Sequence, residues 1–246
     1  MPRQWTLELA AEPERPMGWR FDVLHAIACS VFEQPDGRHD SNDKAFAVRT
    51  GRHSTRTIVL TWLDDRNVPV AGPPELILVG NEKIPLAGVQ ETAYGYDEIE
   101  AGPITTELGF TVSTPALFKH HGNNYPLPDP YVTFASLARR YRTYRPETGP
   151  DDDLIRELGR AVMVAGHRIK TERFSWHGRT DSGFTGEVEF TLGATAGHQA
   201  REAFGRLGTF AGIAGMGRGT THGLGATTVT TPPGAPKHGH QRSSRR

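Results

Sequence analysis

Apolar and polar residues alternate along Trp5-Thr6-Leu7-Glu8-Leu9-Ala10, the period-two pattern of a strand with one buried face. After breaks at Pro13 and Pro16 the period changes. Leu24, Ile27, Ala28 and Val31 recur at spacings of three and four, which predicts a helix over 21–32. The polar turn 34–43 leads into two strand-like runs, 44–49 and 55–63. Pro73-Pro74-Glu75-Leu76-Ile77-Leu78-Val79 fits either a short helix or a strand, and 89–94 reads as a strand. If the open element is a helix, the order is that of a ferredoxin-like unit.

A second unit begins near Pro103. The stretch 108–113 alternates and is expected to end at Thr114-Pro115, and Phe134, Leu137, Ala138 and Tyr141 mark a helix over 131–144. Acidic residues, which suit a helix N-terminus, open another over 151–158. Runs 161–174 and 183–192 read as strands; Ala200, Ala203, Phe204, Leu207 and Phe210 then place a helix over 197–211. A glycine-rich loop and the β-branched run 226–230 follow. The second half thus repeats the first, with an extra helix. The expected fold is α+β: two tandem ferredoxin-like (RRM-like) βαββαβ domains, 1–103 and 104–231, the second carrying the glycine-rich loop. Residues 232–246, PPGAPKHGHQRSSRR, cannot bury apolar surface and read as a disordered basic tail.

Length and composition add bounds. A chain of 246 residues can bury one large core or two small ones. Its single cysteine, Cys29, excludes an internal disulfide and a Cys-rich zinc site, which suits a reducing cytoplasm. No leader pattern or membrane-length apolar window is seen, so a cytoplasmic protein without a membrane partner is expected. The formal net charge is zero, but its distribution is uneven. Residues 64–110 carry two basic side chains against nine acidic, a balance of −7, whereas 192–246 carry seven against one, a balance of +6. One end could therefore face a polyanion.

The chemistry concentrates in Gly215 to Gly225, GMGRGTTHGLG, a G-h-G-x5-G-h-G spacing with Arg218 inside it. Paired glycines let the backbone turn through positive φ and let another group approach without a Cβ in the way. The loop is therefore expected to present amide N–H groups to an anion. It is not a P-loop, having no Lys-Ser/Thr pair after the last glycine; and since it follows a helix, it is not a dinucleotide fingerprint. A glycine-rich hairpin closing a sheet is the simpler alternative.

This spacing resembles the signature loop of the RAMP superfamily, and within it the CRISPR-associated endoribonucleases that process precursor CRISPR RNA. Four stretches carry the resemblance: Val23-Leu24-His25-Ala26; His39 followed by Lys44-Ala45-Phe46-Ala47-Val48; 111–118 with Leu127-Pro128-Asp129-Pro130 and Ser136-Leu137; and 183–190 followed by the glycine loop. The sequence departs from the pattern at Cys29, where some members have a tyrosine, at Gly219, where some have a lysine, and at Arg38, where an apolar residue is usual.

The resemblance implies cleavage of CRISPR repeat RNA without metal or other cofactor. The ribose 2′-OH attacks the neighbouring phosphate, leaving a 2′,3′-cyclic phosphate and a 5′-OH. Histidine suits the proton transfers, since its ordinary pKa of about 6.5 keeps both forms available near neutrality. Candidate catalytic residues are His39, with Lys44 five residues on, and His25 in the first helix. Candidate RNA contacts are Gly215, Gly217, Arg218, Gly219, His222, Gly223 and Gly225 in the loop, with Arg168, Lys170, Arg173 and Arg179 on the preceding hairpin. Phe174 and Trp176 could stack on bases or pack in a core. Implied partners are the precursor transcript and CRISPR effector subunits, with a monomer or homodimer expected. A non-catalytic RNA-binding scaffold and a small-ligand or phosphate-binding ferredoxin-like protein are the competing readings.

Overall fold

The structure, a computed structural model, describes residues 2–14, 20–32, 44–51, 54, 56–66, 72–102, 104–176 and 178–230. His39 and the tail 232–246 lie outside the described residues.

The chain begins with β1 (Arg3–Leu9) and α1 (Phe21–Phe32), then β2 (Phe46–Thr50) and β3 (Thr57–Trp62). The antiparallel hairpin β4 (Leu76–Val79) and β5 (Glu82–Ala93) follows, and then the short α2 (Tyr96–Glu100). These strands form one sheet in the order β2-β3-β1-β5-β4. The open element of the first half is thus a strand. Leu76 to Val79 alternate exposed and buried, and Gly80, at φ 70, allows a two-residue turn that folds β4 back on β5. Among the described residues no helix lies between β3 and β5, so the first half is a ferredoxin-like sheet with one crossover helix and a hairpin in place of the other.

The second half is complete. Its elements are β6 (Glu107–Ala116), the small hairpin β7 (Phe118–His120) and β8 (Asn123–Tyr125), α3 (Pro130–Tyr144), α4 (Asp152–Ala161), β9 (Val162–Trp176), β10 (Arg179–Leu192), α5 (His198–Ala214), a 3-10 turn at Thr220–His222 and β11 (Thr227–Val229). The sheet order β11-β6-β10-β9 is the 4-1-3-2 arrangement of a βαββαβ unit. Asp129 caps α3 by accepting from Val132 N, with Pro130 at the first helical position, and Asp151 caps α4 through Leu154 N. Thr114-Pro115 does not end β6, which runs on to Ala116.

Each sheet buries its own core: Leu7, Leu9, Leu24, Ile27, Val48 and Leu60 in the first, and Phe110, Phe134, Phe190, Phe204 and Phe210 in the second. A third cluster, Phe21, Leu117, Phe174, Trp176 and Leu224, joins the N-terminus of α1 to the β9–β10 hairpin tip and the glycine loop. Polar ties cross the same boundary. Arg49 donates to Gly212 O at 2.8 Å and Thr227 O at 3.2 Å, and Arg145 pairs with Asp65 at 3.3 Å and Glu100 at 3.1 Å. No helix among the described residues is long and apolar enough to cross a membrane.

Candidate functional site

The glycine loop is mostly an interior structure. All five outer glycines, 215, 217, 219, 223 and 225, have positive φ. Gly225 sits against the Met216 carbonyl, where a Cβ would collide with backbone, and a Cβ on Gly223 would lie 2.8 Å from Leu24 Cδ1 of α1. Gly215, His222, Gly223 and Gly225 are buried. The expected amide cradle is largely spent within the protein: the N–H groups of residues 215, 216, 218, 222, 223, 224 and 225 donate to Ala211, Gly225, Leu117, Gly219, Thr220, Gly219 and Pro115 carbonyls respectively. The close approach that glycine permits is used here to seat the loop against α1, β2 and β6.

The loop does have an open side. Gly217, Arg218, Gly219, Thr220 and Thr221 form one wall of a cleft of about 360 Å³. Lys44, Lys119, Ser136, Arg139, Arg140, Thr143 and Tyr144 contribute the rest of its polar lining. Five cationic side chains thus converge on one concavity, from β2's approach, β7, α3 and the loop. Arg218 is exposed, donates to Asn124 Oδ1 at 3.1 Å, and lies over the Trp176 ring at 5.1 Å. Arg140 is half-buried: it donates to Phe46 O at 2.9 Å, to Ala214 O at 3.0 Å and to Thr220 Oγ1. Burial depresses its pKa, and the Tyr144 hydroxyl partly offsets that.

His25 and Lys44 come together behind the loop. His25 Nδ1 is 2.8 Å from Thr221 O and its Nε2 is 3.4 Å from Cys29 Sγ; Lys44 Nζ lies 3.5 Å from the same sulfur. His25 stacks face to face on His222, with ring centroids 3.7 Å apart and an interplanar angle of 2°, and Trp176 meets His222 edge-on at 5.4 Å. Phe174 and Trp176 are buried, so they pack rather than offer faces to bases. Arg168 lies 3.9 Å from Glu187 and Lys170 pairs with Glu172 along β9; neither lines the cleft. Arg173 and Arg179 flank the hairpin tip, also outside the cleft lining. His39 lies outside the described residues.

Lys119, Arg139 and Arg140 were not foreseen from the sequence. The Arg139-Arg140 pair on α3 was the available signal; Arg139 lies off the apolar stripe, but nothing local marks Arg140 as bonded to distant carbonyls.

Fold and site together define an α+β protein of two ferredoxin-like halves holding a G-h-G-x5-G-h-G loop between them. Residues 110–227 match the family described as CRISPR-associated endoribonuclease Cas6. A relative from Mycobacterium tuberculosis (strain CDC 1551 / Oshkosh), named CRISPR-associated endoribonuclease Cas6, is 34% identical over 92 residues, which span 37% of this chain and 29% of the relative. Thermus thermophilus Cas6 is 24% identical, with a TM-score of 0.72, covering 93% of this chain and 98% of that one. A Cas6 product complex is likewise 24% identical, with a TM-score of 0.74 and coverage of 93% and 100%. At this identity the structural likeness is one of fold.

Proposed function

We propose that this chain is an endoribonuclease that cleaves CRISPR repeat RNA within a precursor transcript, and that the RNA backbone enters the cleft between α3 and the open side of the glycine loop. The observation that carries this reading is the convergence of Lys44, Lys119, Arg139, Arg140 and Arg218 on that cleft. A concave surface lined by one sign of charge attracts a polyanion, and its exposed arginines can grip phosphates bidentately.

The reaction is metal-independent attack of a ribose 2′-OH on the adjacent phosphate, with release of the 5′ oxygen. Lys44, at the cleft wall, offsets charge building on the phosphorane. His25 and His39 are the candidates for proton transfer, which typically contributes roughly 10²- to 10⁴-fold. The test is incubation of the full chain with a repeat RNA in excess EDTA. Cleavage, with binding that weakens steeply as salt rises, supports the reading; intact RNA contradicts it.

RNA capture without cleavage is a second reading. It is favoured by the engagement of both His25 ring nitrogens within the protein. Salt-dependent binding of a repeat that stays intact would select it.

A further inference from the structure

Cys29 is on the buried side of α1 at 8% exposure, yet its sulfur faces two polar groups. Lys44 Nζ approaches Sγ from the start of β2, and His25 Nε2 approaches it from one turn earlier in α1. The directions of these bonds can be worked out from their far end. Thr221 O, a carbonyl oxygen, only accepts, so His25 Nδ1 carries hydrogen and Nε2 of the neutral ring is left an acceptor. The Cys29 S–H then donates to Nε2, while the Lys44 ammonium donates to sulfur. If His25 gains a second proton, the thiol hydrogen rotates away and sulfur accepts from both neighbours. Sulfur can therefore serve the ring in either state.

We infer that Cys29 is a positioning residue: it holds the Lys44 ammonium at the wall of the cationic cleft and ties it, through His25, to the glycine loop. The inference rests on the proposed RNA-cleaving role of that cleft. A lysine needs such a holder because its flexible four-carbon stem otherwise samples many rotamers. A misplacement of roughly 1 Å at a reacting centre can cost about 100-fold in rate.

A cysteine that merely fills space would accept alanine more readily than serine, because serine brings a hydroxyl into a buried place. A positioning thiol has the opposite preference, since serine can donate and accept as sulfur does and alanine can do neither. The experiment compares Cys29→Ala, Cys29→Ser, Lys44→Ala and the Cys29→Ala/Lys44→Ala double variant of the full chain in single-turnover cleavage of repeat RNA. Cys29→Ala is expected to slow cleavage roughly 10- to 100-fold with RNA affinity unchanged, and Cys29→Ser to recover to within about 5-fold of wild type. The double variant should be no slower than Lys44→Ala, because the thiol acts through the lysine. Wild-type rates in Cys29→Ala, an equal defect in Cys29→Ser, or losses that multiply in the double variant would overturn the inference.

A second readout separates this inference from the cleavage reading. In the RNA-free protein, the Lys44 ¹H–¹³Cε NMR signal should move in Cys29→Ala and return in Cys29→Ser. That signal is read whether or not the wild type cuts RNA. If it stays put in both variants, the positioning role is wrong; if it moves as stated while RNA remains intact, only the cleavage reading falls.

Discussion

Gly223 and Gly225 lie buried against Leu24 of α1 and the Met216 carbonyl, whereas Gly217 and Gly219 stand at the rim of the cationic cleft, beside exposed Arg218. The residue type and the sign of φ are the same in both places. In both places the protein itself fills the space a Cβ would need: Leu117 O at Gly217 and Leu224 Cδ1 at Gly219, as Met216 O at Gly225 and Leu24 Cδ1 at Gly223. The difference lies in what surrounds the rest of the residue. On the closed side the glycines are buried and their amides are spent on carbonyls, whereas on the open side they are half-buried and edge the cleft beside arginine and lysine. A glycine-rich loop is therefore not a ready-made anion cradle; here all of it packs against the protein and only one edge reaches the cleft.

Substitution on the closed side should have the largest effect. Gly225→Ala puts a Cβ against the Met216 carbonyl at φ 62, and a loss of about 3 kcal/mol or more is expected in a urea melt. Wild-type stability would show that the closed side carries no load. Arg140→Met comes next. It removes the donor shared by Phe46 O, Ala214 O and Thr220 Oγ1, at an expected cost of about 2–3 kcal/mol in the same melt. A loss under about 0.5 kcal/mol would break the view of Arg140 as a tie between the sheets.

The open side should show the reverse pattern. Arg218→Ala is expected to keep the melting curve within about 0.5 kcal/mol of wild type. RNA affinity should fall, and the slope of log K against log salt should drop by about 0.7, the value for one single-strand phosphate contact. An unchanged slope would remove Arg218 from the interface.

Away from the loop, Glu100 at the end of α2 accepts from Thr148 at 2.7 Å, Arg145 at 3.1 Å and Tyr141 at 3.3 Å of the second half. Burial pushes its pKa up, but the Thr148 bond and the Arg145 charge outweigh that and hold it below the ordinary 4.5. The stabilisation is thus present above that pH and is lost as pH falls through the lower folded value. Glu100→Gln should flatten the acid limb of the stability curve below 4.5; an unaltered limb would contradict this. Arg168→Ala, on a side chain 90% exposed and outside the cleft, should change neither stability nor RNA affinity measurably. A binding loss there would extend the interface onto β9.

Much of the fold was legible because its signals are local. Leu24, Ile27, Ala28 and Val31 define α1, and its observed bounds are the expected ones. Apolar periodicity likewise marked α3 and α5, and acidic residues at its start marked α4. The 76–79 run was ambiguous because four apolar residues suit a buried strand or a helix turn equally; pairing with β5 decides it. The β7–β8 hairpin, three residues a side, is too short to leave a pattern. The sequence named the loop, Arg218, His25 and Lys44 as candidates, but not the lysine–thiol–imidazole contact, which joins positions 15 and four residues apart through the packing of α1 on β2. Arg140 was hidden for a similar reason, because its three acceptors come from β2, α5 and the loop. The loop's amides were misjudged because glycine content reports freedom of approach, not the identity of what approaches.

The central claim is that RNA held in the cationic cleft supplies its own nucleophile. The most direct measurement compares cleavage of a repeat RNA with that of the same RNA carrying a single 2′-deoxyribose immediately 5′ of the scissile phosphate, both in EDTA. The account predicts that the all-ribose strand is cut to a 2′,3′-cyclic phosphate and a 5′-OH while the deoxy strand binds equally well and stays whole. Equal cleavage of the two strands would contradict it.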